Sequence, residues 1–107
     1  MFGFAVLWPV VAFGQATISG VVRDASGAVL PGVTVEAASP ALIEKVRTQV
    51  TDGTGQYAIE NLRPGIYTVT FTLPGFAVVQ RQGVELSGSF TARINARPSP
   101  IGPHTSI

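Results

Sequence analysis

Apolar side chains recur at every second position through most of the chain beyond residue 16. Ile18, Gly20 and Val22 alternate within Thr17–Arg23, and Val33, Val35 and Ala37 alternate with Thr34 and Glu36. Tyr57 and Ile59, then Tyr67, Val69, Phe71 and Leu73, do the same on either side of Arg63-Pro64-Gly65. Phe76–Gln82 runs on through Val84 and Leu86, and Phe90, Ala92 and Ile94 close the series. A period of two puts each set on one face of a strand. The punctuation agrees: Asp24-Ala25-Ser26-Gly27, Pro31-Gly32, Ser39-Pro40, Asp52-Gly53-Thr54-Gly55, Pro64-Gly65, Pro74-Gly75 and Ser87-Gly88-Ser89 are turn signals with a backbone reason for each.

The pattern predicts seven short strands and an antiparallel, Greek-key β-sandwich, an all-β fold. The richest stretch, Thr51–Phe76, reads as a hairpin whose inward face supplies much of the core. One segment is ambiguous. Leu42-Ile43-Glu44-Lys45-Val46-Arg47 has helix-forming residues, yet Glu44, Val46, Thr48 and Val50 also alternate, and the β-branched content favours a strand. From residue 98 the pattern stops, and prolines at 98, 100 and 103 suggest a disordered tail or linker over 98–107.

The first sixteen residues, MFGFAVLWPVVAFGQA, are apolar and uncharged, with small residues at Ala12, Gly14 and Ala16. That is the apolar core and cleavage region of a secretory signal peptide without its basic start, and cleavage is expected after Gly14 or Ala16. Sixteen residues fall short of the roughly 20 that span a bilayer, so no membrane span is expected in the mature chain. The expected organisation is thus a leader over 1–16, one domain over 17–97 and a tail. A mature chain of about ninety residues still encloses a small core. Export to the periplasm, or association with the outer membrane, follows from the leader.

Charge is sparse. The basic residues Arg23, Lys45, Arg47, Arg63, Arg81, Arg93 and Arg97 stand singly against six acidic ones, which offers no footprint for nucleic acid. Cysteine is absent, so disulfides, thiolate catalysis and Cys-ligated zinc are excluded.

Candidate chemistry is equally thin. Asp24 and Asp52 each open an Asp-x-x-Gly turn. Calcium wants six or more oxygens, and two isolated carboxylates supply too few, whereas an aspartate closing its own turn needs no partner. His104 is the sole histidine and lies in the tail, away from any scaffold that would hold a catalytic base or a metal. Trp8, the sole tryptophan, lies in the leader. Tyr57 and Tyr67 fall in register with the core, which predicts buried rings with hydroxyls on backbone partners rather than sugar-stacking platforms. Lys45 with Asn61 or Asn95 is a conceivable isopeptide pair, but Glu44 and Arg47 beside it indicate a solvated lysine. No catalytic, cofactor-binding or metal residue is assigned, and no enzyme is expected.

Five of the turn motifs also resemble a known family in order and spacing. Ile18–Gly27, Leu30-Pro31-Gly32-Val33, Thr51–Tyr57, Leu62–Tyr67 and Pro74-Gly75-Phe76 are similar to the carboxypeptidase regulatory-like domain family over about residues 17–97. The resemblance implies a transthyretin-like (prealbumin-like) seven-stranded sandwich. It also implies an accessory role, since such domains sit beside metallocarboxypeptidases and at the N-terminus of TonB-dependent outer-membrane receptors. No plug or barrel sequence follows within this chain. The expected function is a non-catalytic exported module for protein interaction or spacing, its partner an unidentified cell-envelope component. The alternative is a carbohydrate-binding module of the same fold.

Overall fold

The computed structural model describes Gly3, residues 15–40 and residues 46–101. The strands are β1 (Ala16–Val21), β2 (Thr34–Ala38), β3 (Val46–Val50), β4 (Gln56–Leu62), β5 (Gly65–Thr72), β6 (Val79–Leu86) and β7 (Thr91–Arg93). They form a small sheet ordered β4-β1-β7 and a large one ordered β3-β2-β5-β6. Among the described residues, four of the five strand pairings are antiparallel and one, β1 with β7, is parallel. The described residues are all-β, in two packed sheets. No helix among them is long and apolar enough to cross a membrane.

The expected alternation builds the core. Ile18 and Val22 from the first strand region, Val33, Val35 and Ala37 from the second, Ile59 and Leu62 from β4, and Tyr67, Val69 and Phe71 from β5 are all fully buried. Tyr57 of the small sheet meets Phe71 of the large one edge-to-face, with ring centroids 5.6 Å apart and planes at 77°. That geometry suits the ring quadrupoles and ties the two layers together at the centre.

The expected hairpin over Thr51–Phe76 is not formed. β4 pairs with β1, while β5 lies between β2 and β6 in the opposite sheet. The reason lies in the connection. Of the two-residue hairpin turns, type I′ needs positive φ at both central residues and is barred by Pro64, locked near −65°. Type II′ needs positive φ at the first, where Arg63 stands rather than glycine and does not adopt it. The chain instead turns a corner. Asn61, at φ 60°, breaks the ladder, so that Ile18 faces Ile59 but Ala16 faces Leu62. This bulge re-phases β4 and turns Leu62 inward. The Tyr67 hydroxyl then donates to the Arg63 carbonyl (2.6 Å) and locks the crossing between sheets.

Three other expectations shift. The sixth strand begins at Val79, because Gly75 (φ 87°) and a Phe76 N–H to Leu73 carbonyl bond (3.0 Å) hold residues 73–76 in a turn. Phe90 is 52% exposed and does not share the inward face of Ala92. It lies in the turn before β7, where its N–H reaches the Ser87 carbonyl (3.3 Å). The tail does not start at residue 98. Pro98 is fully buried, Ala77 N–H donates to the Ser99 carbonyl (2.7 Å), and Ile101 N–H donates to the Gly75 carbonyl (2.8 Å). Prolines 98 and 100 tolerate this edge position because the ladder draws its donors and acceptors from the residues between and beyond them.

Val46–Val50 is the strand that the alternation favoured over a helix, with both valines on the exposed side. The leader through Gly14 (Gly3 apart), residues 41–45 with Lys45, and His104 lie outside the described residues, as does Trp8.

Candidate functional site: the outer face of the small sheet

At the centre of the small sheet, Gly20 stands opposite Tyr57. A Cβ at Gly20 would lie 2.0 Å from the Ile94 carbonyl oxygen, so only glycine admits the backbone of residues 94–95 this close. The Tyr57 hydroxyl reaches that same carbonyl (2.6 Å). Burial pushes the Tyr57 pKa well up, keeping the hydroxyl a neutral donor. One residue on, the Val21 N–H donates to Asn95 Oδ1 (2.9 Å). An N–H can face only the amide oxygen, so this bond also orients Asn95 and leaves its Nδ2 as a donor at the surface.

β7 and its continuation are therefore clipped to β1 by side chains as well as by the ladder. Ile94 N–H to Ser19 carbonyl (2.8 Å), Ala96 N–H to Val21 carbonyl (3.3 Å) and Arg23 N–H to Ala96 carbonyl (3.0 Å) continue the parallel pairing beyond the strand proper. Inward residues Ala92 and Ala96 alternate with outward Arg93, Asn95 and Arg97. Val21 and Arg23 of the neighbouring segment join these last three around a hollow of about 310 Å³. A shallower groove of about 460 Å³ adjoins it through Val21 and Arg93, and is walled by Ser19, Gln49, Gln56 and Asp52 among others. The basic residues that stand singly in the sequence are not single in the fold. Three of the seven share one hollow, brought together by a parallel register that no local motif announces.

The two aspartates make matching turns. Asp24 Oδ1 accepts from the Ser26 hydroxyl (2.6 Å), Ser26 N–H (2.9 Å) and Ala28 N–H (3.0 Å). Asp52 Oδ1 accepts from the Thr54 hydroxyl (2.6 Å), Thr54 N–H (2.8 Å) and Gln56 N–H (3.1 Å). Those bonds, the hydroxyl of Ser26 or Thr54 foremost, hold each carboxyl below its usual range. Both are Asx turns, as read from the sequence. The Asp52 turn is tied to the segments on either side of the Asp24 turn: Val22 N–H donates to the Gly55 carbonyl (2.9 Å), and Thr51 Oγ1 accepts from Val33 N–H (2.9 Å) and donates to the Leu30 carbonyl (2.7 Å). No group of three or more potential metal-ligating residues occurs among the described residues. Tyr57 and Tyr67 are buried with hydroxyls on backbone carbonyls, as expected, and neither ring presents a face to solvent.

The model of the Carboxypeptidase regulatory-like domain family matches residues 17–98. This chain belongs to that family. A TonB-dependent transporter, Oar of Myxococcus xanthus, is 38% identical over 106 residues, an alignment covering 95% of this chain and 10% of that protein. The chain thus spans about a tenth of the length of this relative. Among solved structures, catechol 1,2-dioxygenase from an Acinetobacter species superposes with a TM-score of 0.65 at 12% identity, covering 88% of this chain and 55% of that one. A Bacteroides uniformis protein described as carbohydrate-binding gives 0.62 at 16% identity, covering 79% and 41%. At such identities these two share the regulatory-like domain's sandwich and nothing finer. An enzyme and a binding protein on one scaffold leave the function to be argued from the site.

Proposed function

We propose that this regulatory-like domain is a non-catalytic, exported module that serves protein interaction or spacing in the cell envelope, as the N-terminal extension of a TonB-dependent receptor or as a free-standing periplasmic relative of one. The observation that carries the reading is the match along nearly the whole chain to one tenth of a transporter, the relation expected of an appended module. The geometry supports it from the other side. Asp24, Asp52, Tyr57 and Tyr67, the side chains with the most chemistry, are each engaged by the fold's own turns and backbone. What remains open is surface. The two tyrosines are buried and so offer no stacking face for the carbohydrate-binding alternative.

Export rests on the uncharged apolar leader. Ala16 is fully buried and pairs with Leu62, so cleavage after Gly14 leaves β1 whole, whereas cleavage after Ala16 removes a core side chain. Fusing the chain to alkaline phosphatase, which is active only after export, tests the reading. The expected result is phosphatase activity and a processed N-terminus at Gln15 by mass spectrometry. An inactive, unprocessed fusion contradicts it.

A further inference from the structure

The offset between β1 and β7 stays constant from the Thr17–Thr91 pair to the Val22–Ala96 bridge. That register places Arg23 level with Arg97, with Arg93 further along the same outward face. Like charges level on neighbouring strands repel. No carboxylate is among the residues lining their hollow. The nearest acid in sequence, Asp24, has Oδ1 filled by its own turn, and so has Asp52 in the adjoining groove. One nitrogen of Arg23 is held by the Gly27 carbonyl (3.1 Å), which fixes that guanidinium at the rim of the hollow. Asn95, oriented by Val21, adds a neutral donor between the charges.

We propose that this stripe binds an extended acidic segment of a partner protein, its carboxylates alternating along the strand. The spacing favours this occupant over a single phosphate. Arg93, Asn95 and Arg97 repeat at roughly 6.6 Å along extended backbone, so the outer two lie about 13 Å apart at the Cα atoms. One phosphate does not span that distance. Acidic side chains at alternate residues of an extended peptide repeat at the same interval, and arginine's planar fork takes a carboxylate with two parallel bonds. The inference deepens the interaction reading above by naming the partner's chemistry. Export is measured separately, so either can fail alone.

The test is fluorescence anisotropy of a labelled peptide alternating glutamate with threonine, titrated with the full chain. Saturable binding that weakens with added salt is expected, because exposed charges are screened beyond roughly 10 Å at 0.1 M. The double variant Arg93→Gln/Arg97→Gln should lose about tenfold in affinity, the product of two exposed ion pairs. Arg97→Lys, which keeps the charge and removes the fork, should lose less, and Arg63→Gln/Arg81→Gln should lose nothing. All four arginines are exposed, and a thermal melt of each variant verifies the fold. The proposal is overturned by no saturable binding, by equal binding of a lysine–threonine peptide, or by equal loss in the Arg63/Arg81 variant. Binding to phosphatidylglycerol vesicles but not to the peptide would overturn it too, and would assign the stripe to phosphate.

Discussion

The two sheets are built by different means. The large sheet is regular at its centre: β2 and β5 pair over five consecutive positions, their inward side chains Val35, Ala37, Tyr67, Val69 and Phe71 are wholly buried, and the one slip in register falls at its β5–β6 edge, between Tyr67 and Val69. Its stability is hydrophobic burial on the continuous central ladder of β2 and β5. The small sheet has a bulge in β4, a glycine at its centre, and a third strand of three residues joined in parallel. What completes it is a set of individual polar clips, Tyr57 to Ile94 and Asn95 to Val21. The difference assigns roles. On this contrast the large sheet is expected to hold the domain together, and the small one, whose outer face gathers the arginines, to open more readily.

The contrast is broken most severely at Phe71. Phe71→Ala leaves a void where the two layers meet and should cost about 3–5 kcal/mol. Against a total of about 5–15 kcal/mol for an ordinary domain, that is a large share. Urea melts check it, and a loss near zero would mean that the Tyr57–Phe71 contact does not join the layers.

Gly20→Ala should come next, at about 1–3 kcal/mol, because the new methyl meets backbone oxygen rather than a side chain that can swing aside. The damage should be local to the small sheet. Amide chemical shifts should move in β7 and stay in place in β2. Equal movement in both sheets would erase the distinction drawn between them.

A gentler probe is pH. Asp24 and Asp52 have folded-state pKa values below their ordinary ones, held there first by the hydroxyls of Ser26 and Thr54. The unfolded chain therefore binds more protons as pH falls. The stabilisation they give is complete above about pH 4, the ordinary aspartate value, and is lost below it as pH drops through the depressed folded values. Thermal melts from neutral pH downward should be flat until that point and then decline. Asp24→Asn/Asp52→Asn should flatten the decline, and an unchanged decline would place the acid sensitivity elsewhere.

How much of this was readable before the fold follows the same division. The alternation at Val33–Ala37 and Tyr67–Phe71 revealed the two central strands of the large sheet and their buried faces, because period-two burial is a local signal, but not their pairing, since the second was expected to pair with β4. The matched turns at Asp24 and Asp52 were equally legible, since an Asx turn is a local device. The corner at Arg63-Pro64 was misread although its signal was present: proline at the second position forbids a type I′ turn, and arginine at the first disfavours type II′. The arginine stripe had no such signal. Arg23 and Arg97 are far apart in sequence, and only the parallel register of β1 and β7 sets them level. The ordered 98–101 segment was hidden by its prolines, which suggest disorder when counted and edge pairing when placed.

The division between the sheets is tested most directly by native-state amide hydrogen exchange, comparing Ile94 and Ala96 with the amides of β2 and β5. The former bond to Ser19 and Val21 across the clipped parallel pair. They should exchange through a local opening of lower free energy than global unfolding, while the slowest amides of β2 and β5 exchange only with the whole domain. Tyr57→Phe, which removes one clip, should lower protection at Ile94 and Ala96 further than the mutation lowers global stability. Protection of Ile94 and Ala96 equal to that of the large sheet, and falling in step with it in Tyr57→Phe, would show one cooperative unit and contradict the account.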